Sequence, residues 1–170
     1  VPMDQNQASG ISSTAQKSNS IPRQVSAILI ASAVAILANV LLYYILKDLF
    51  GVPFIAPEQF PPPEVSPIPV TDVILFSVIF CAGAGLVFLV IANTVRRPAQ
   101  IFAVISIIVL LASLYLPLRM PTPPIPLATK LALDSMHILG AAVLVPLLIR
   151  LGLPRQAGVG EATHSQLAER

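Results

Sequence analysis

The 170-residue chain is 55% hydrophobic and only 11% charged, with a formal net charge of +2 and a mean hydropathy of +0.83. A soluble domain carries about 25% charged residues, so this composition lacks the polar surface needed to cover a fold in water. No basic patch is interleaved with aromatics, which argues against a nucleic-acid partner.

A bilayer core about 30 Å thick is crossed by a helix of about 20 apolar residues. Four apolar runs of that kind are predicted as helices at about 24–47, 70–95, 99–117 and 127–151. The expectation is an all-α membrane protein, a four-transmembrane-helix bundle over residues 23–153. The polar tails, 1–22 and 154–170, have too little apolar surface to offset their ordering entropy and are expected to be disordered.

The first run opens after Pro22 and closes at Lys47-Asp48. A secretory h-region is only about 7 to 15 residues long. This run is longer and ends in Tyr43-Tyr44, which favours a retained helix. The loop that follows, GVPFIAPEQFPPPEVSPIP, spans Gly51 to Pro69. Its prolines forbid a regular helix and bias the backbone toward extended polyproline geometry. It reads as a stiff connector. The alternative is a docking segment, because Phe50, Phe54, Ile55 and Phe60 are apolar groups on an otherwise wet loop. The second run ends before the basic turn Arg96-Arg97-Pro98, and the third ends at Pro117. A second proline-rich loop, PLRMPTPPIP, leads from there into the fourth run.

Charge sets the expected topology. Lys17, Arg23, Arg96, Arg97, Arg150 and Arg155 fall on one side. Lys47, Arg119 and Lys130 fall on the other, together with Asp48, Glu58, Glu64 and Asp72. Cytoplasmic flanks carry the excess of Lys and Arg, so both termini are expected inside a plasma (inner) membrane, with both proline-rich loops outside. Tyr43, Tyr44 and Tyr115 then fall near the outer interface, where amphipathic rings settle.

Helices in lipid associate by close backbone approach and by polar contacts. Ala27, Ala31, Ala35 and Asn39 form a ridge of small side chains at i, i+4 spacing, and Ser77, Cys81 and Gly85 form a second. Counted inward from the outer ends, Asn39, Cys81 and His137 lie at similar depth, about 13 Å in at about 1.5 Å per residue. Unpaired polar groups are costly in hydrocarbon. The candidate intramembrane polar layer is therefore Asn39, Cys81 and His137, with Ser106 or Ser113 nearby and Asp134 one turn from His137. Pro146 removes the bond to the Ala142 carbonyl and is expected to kink the fourth helix.

Asp134 and His137 at i, i+3 share a helix face. Such a pair is either an intramembrane proton, ion or substrate site, or a wet aspartate beside a neutral core histidine. Neither a catalytic set nor a cofactor site follows from the residues. Two histidines, His137 and His164, do not make a bis-histidine haem site in the bundle. A closed zinc site needs about four ligands. The single cysteine, Cys81, has no partner for a disulfide or a thiol redox pair. Gly83 and Gly85 lie inside an apolar helix and serve packing rather than phosphate binding.

Three segments carry a family resemblance: AVAILANVLLYYIL in the first helix, the Arg96-Arg97-Pro98 turn, and MHILGAAVLVPLLIR in the fourth. Over Gln24 to Leu151 the chain resembles an uncharacterised family of small bacterial four-helix integral membrane proteins, domain of unknown function family 6069. The resemblance implies a fold and a location and no activity. The expected function is an accessory or structural subunit packed against membrane-protein partners, and the expectation is that it is not an enzyme and holds no cofactor. The alternatives are a small oligomeric transporter or ion-conducting protein using Asp134 and His137, and, behind it, a membrane enzyme acting on a lipid or quinone.

Overall fold

Helix α1 begins at Ser20 and runs to Tyr44, four residues ahead of the apolar run at Gln24. Pro22 sits in its first turn, where the missing N–H is not needed. The computed structural model describes residues 20–57, 65–120 and 125–154. Lys17, Glu58, Phe60, Glu64, Arg155 and His164 lie outside the described residues, as do most of both tails.

A π-helical turn, Ile45–Leu49, continues α1, and the Phe50 N–H bonds to the Ile45 carbonyl at 3.3 Å. Gly51 then reverses the chain at φ +64, a conformation that costs a glycine little. The Val52 N–H bonds back to the Leu46 carbonyl at 3.0 Å. Where the loop that follows is described, at its two ends, it forms paired strands instead of a polyproline connector. Strand β1 (Ile55–Pro57) pairs antiparallel with β2 (Val65–Pro67) in the register Ile55–Pro67, Ala56–Ser66 and Pro57–Val65. Proline lacks a donor but its extended φ suits an edge strand, so a two-stranded ribbon accommodates it.

Helices α2 (Val70–Thr94), α3 (Pro98–Arg119) and α4 (Leu127–Gly152) complete the bundle. Helix α3 runs on through Pro117, against the expectation that it would end there. In a last turn the proline removes only one intrahelical bond, and the Met120 N–H still reaches the Pro117 carbonyl at 3.2 Å. Helix α1 packs most extensively on α4 and next on α2. Helix α3 closes the ring against α4 and, less extensively, α2. Consecutive helices are antiparallel neighbours, as short connections favour.

These helices are apolar all round, so size rather than polarity decides which face turns inward. Ala27, Ala31 and Ala35 are buried on α1, and Ser77, Cys81 and Gly85 on α2. Leu29, Leu37, Leu75, Phe76 and Leu111 point outward. Two glycines receive partner side chains directly. A Cβ on Gly85 would stand 2.7 Å from Ile28 Cγ2, and one on Gly152 would stand 2.6 Å from two carbons of the Phe88 ring. Phe88 packs edge-on against Phe102 with centroids 5.2 Å apart, and Leu144 and Leu148 complete that core.

A second core, nearer the hairpin, joins Tyr43, Phe54, Val73, Ala132 and Met136. Phe54 is thus a core residue, which removes it from the alternative reading of the loop as a docking segment, whereas Phe50 is exposed. Tyr43 is likewise buried: its ring packs 4.6 Å from Phe54 and its hydroxyl donates to the Ile68 carbonyl at 3.0 Å. Tyr44 and Tyr115 are exposed.

Candidate functional site: polar clasps in an apolar bundle

The residues named from sequence separate into distinct local arrangements. Asn39 is the hub of one. Its Nδ2 donates to the Ser77 hydroxyl at 3.1 Å, and the same amide lies against the Gly140 backbone, whose Cβ would sit 3.3 Å from Nδ2. Three helices meet there because Gly140 has no side chain to hold them apart. The Asn39 Oδ1 is buried without a hydrogen-bond partner among the described residues.

Cys81, one turn from Ser77 on the same face, is buried and is reached by Ser32 of α1 rather than by Asn39. This corrects the layer that grouped Asn39 with Cys81 and His137. The hydroxyl of Ser77 is the stronger acceptor, and it lies one turn nearer the hairpin end. His137 packs its ring edge-on to Phe80 of α2, centroids 5.5 Å apart. Ser113 bonds within its own helix, donating to the Leu110 carbonyl at 2.7 Å, and Ser106 is half-buried.

Asp134 is buried, and its Oδ1 lacks a hydrogen-bond partner among the described residues. Of the two sequence readings of the pair, the wet aspartate requires water at this carboxylate, and Oδ1 is turned away from the surface. His137 lies one turn along the same helix. Lys130, the residue one turn before Asp134, is also buried and donates from Nζ to the Met120 carbonyl at 2.7 Å. That places a cation at the C-terminal end of α3, where the helix dipole favours it. Among the described residues no three His, Cys, Asp or Glu side chains are grouped as a metal site requires.

Three further clasps were missed from sequence. The Gln24 side chain, 2% exposed, accepts from Asn93 Nδ2 at 3.0 Å, joining α1 to α2 near the arginine-bearing end. Arg23 donates from Nε to the Leu151 carbonyl at 2.8 Å and from Nη2 to the Leu153 carbonyl at 2.7 Å, capping α4. The buried Thr129 hydroxyl donates to the Pro53 carbonyl, tying the first loop to the start of α4. The available signal was a lone polar side chain at each end of an apolar run, with its partner at the matching depth.

Four helices long and apolar enough to cross a bilayer, joined by buried polar clasps and turning large apolar side chains outward, define a multi-pass membrane protein. The chain belongs to the Family of unknown function (DUF6069), whose family model matches residues 19–152, a span that contains all four helices. No curated protein and no solved structure matches the chain.

Proposed function

We propose that this protein is an accessory, structural subunit that packs against other membrane proteins through its outward helix faces. The observation that carries this reading is the position of α3. Only Phe102 and Pro117 of that helix are buried, while Val104, Ile107, Ile108, Leu111 and Leu116 face outward. The rest of the interior is closed by direct packing of small residues against large ones, which suits a scaffold. The first loop is part of that scaffold, with Phe54, Tyr43 and Thr129 fixing it to the bundle. Photo-crosslinkers placed at Ile108 and Leu111 in the native membrane test the reading. Adducts with one discrete protein partner support it, and adducts with lipid alone refute it.

The location proposed with it is the plasma (inner) membrane, both termini cytoplasmic and the two proline-rich loops outside. Arg23, Arg96, Arg97 and Arg150 cluster at the end where α1 starts and α2 and α4 finish, and excess arginine marks the cytoplasmic side. Cysteine labelling from outside tests the orientation: Phe50→Cys is expected to react and Arg97→Cys to be protected.

A second reading, a small oligomeric transporter or ion-conducting protein, is favoured by Asp134, whose Oδ1 is buried without a hydrogen-bond partner one turn from His137. Intramembrane ionisable groups commonly mark ion or proton paths. A proton or ion flux in proteoliposomes that is lost in both Asp134→Asn and His137→Ala supports it. Flux unchanged in both refutes it.

A further inference from the structure

A lateral groove of about 240 Å³ runs between α1 and α2, walled by Val25 and Leu29 on one side and by Ala82, Leu86 and Leu89 on the other. It exists because of side-chain size. Gly85 lets Ile28 close the floor, and Ala82 keeps one wall low. Its lining is apolar and it opens sideways, where the bilayer lies. Two of its lining residues, Val25 and Leu89, adjoin the Gln24–Asn93 clasp, where Asn93 Nδ2 also bonds the Leu89 carbonyl at 2.7 Å. Arg96 and Arg97, both exposed, follow two and three residues after the end of α2.

The charge at that end is one-sided. Among the described residues the acids are Asp48, Asp72 and Asp134, and all three lie toward the opposite, hairpin-bearing end. Arg23 is already engaged with the α4 carbonyls. Arg96 and Arg97 are therefore the uncompensated exposed cations among the described residues at the end of α2 toward which the hydrocarbon-lined groove runs. Basic pockets between transmembrane helices suit anionic headgroups.

We propose that this groove binds an anionic phospholipid of the surrounding bilayer, one acyl chain lying along α1 and α2 and the phosphate held by Arg96 and Arg97. The site depends on neither the scaffold reading nor the transport reading. It requires only that the bundle sits in a membrane. The two halves of the site are separable: the arginines select the headgroup, and the groove holds the chain whatever the headgroup.

Native mass spectrometry of the full chain, delipidated in detergent and titrated with phosphatidylglycerol or phosphatidylcholine, tests this. The wild type is expected to retain phosphatidylglycerol preferentially. Each arginine contributes about 5-fold, so Arg96→Gln with Arg97→Gln lowers that retention by more than 10-fold and Arg96→Lys with Arg97→Lys restores most of it. Ala82→Phe, which fills the groove from an exposed position, lowers retention of both lipids. Equal binding of the two lipids by the wild type overturns the proposal, as does a preference that survives the double glutamine variant. So does unchanged lipid retention in Ala82→Phe, including the case in which that variant instead converts an oligomer to a monomer, because a second copy would then occupy the groove. Helical circular dichroism of each variant verifies that the compared proteins are folded.

Discussion

Asn39 on α1 donates its amide to the Ser77 hydroxyl on α2 at 3.1 Å, and the Gly140 backbone on α4 presses on the same amide. One side chain thus registers three helices at one level. Polar contacts between membrane helices contribute about 0.6 kcal/mol on average and up to about 1.7. A double-mutant cycle of Asn39→Leu and Ser77→Ala, read by unfolding in mixed micelles, is expected to give a coupling energy within that range. Strictly additive effects would mean that the contact contributes nothing.

The glycines make a graded series. Ala at Gly152 or Gly85 places a methyl 2.6 or 2.7 Å from the buried Phe88 ring or from Ile28 Cγ2. Both neighbours are stiff: Phe88 is wedged against Phe102, and a β-branched isoleucine has little χ1 freedom in a helix. Overpacking of this kind costs about 1–3 kcal/mol. Gly140→Ala meets Asn39 Nδ2 at 3.3 Å and is expected to cost less. Gly83 has open space, so Gly83→Ala gains helix propensity and is expected to be neutral or mildly stabilising. Thermal midpoints of the four variants check the order.

At the hairpin end, Tyr43→Phe and Thr129→Val each remove a hydroxyl from a loop carbonyl, at Ile68 and Pro53. A lost hydrogen bond of this type costs about 0.5–1.5 kcal/mol. Opening is expected to be local, because both bonds tie the loop rather than the helices to one another. Faster hydrogen exchange at residues 52–56 and 66–69, with α2 unchanged, is the predicted result. Equal acceleration throughout the bundle would contradict it.

Asp134→Asn keeps the shape of the side chain and removes a charge from a buried site whose Oδ1 has no hydrogen-bond partner. Intramembrane charge is costly. The variant is therefore expected to be at least as stable as the wild type, by on the order of 1 kcal/mol. A large loss of stability would instead reveal a bound counter-charge at that carboxylate.

Much of the bundle was legible in the sequence. Helix length followed from apolar run length. The buried ridges Ala27–Ala31–Ala35 and Ser77–Cys81–Gly85 followed from i, i+4 spacing, because in lipid small residues are the ones that meet. The polar pairing was not legible. Depth counted from helix ends resolves to about a turn, and Ser77 and Cys81 are one turn apart on one face, so the count puts Asn39 level with Cys81 where the fold pairs it with Ser77. Tyr43 and Phe54 escaped for another reason. An interfacial tyrosine and a packed one have the same sequence surroundings, and only the tertiary fold brings the loop back over α1. Gln24 and Asn93, 69 residues apart, pair through the antiparallel packing of α1 and α2.

The measurement that bears most directly on the account is the mass and composition of the protein extracted from its native membrane in a mild detergent. The account predicts a complex in which this chain and a membrane-protein partner occur in fixed stoichiometry, and which dissociates when Ile108 and Leu111 on the outer face of α3 are replaced by bulky tryptophans. A lone monomer, or an oligomer of this chain alone, would contradict it.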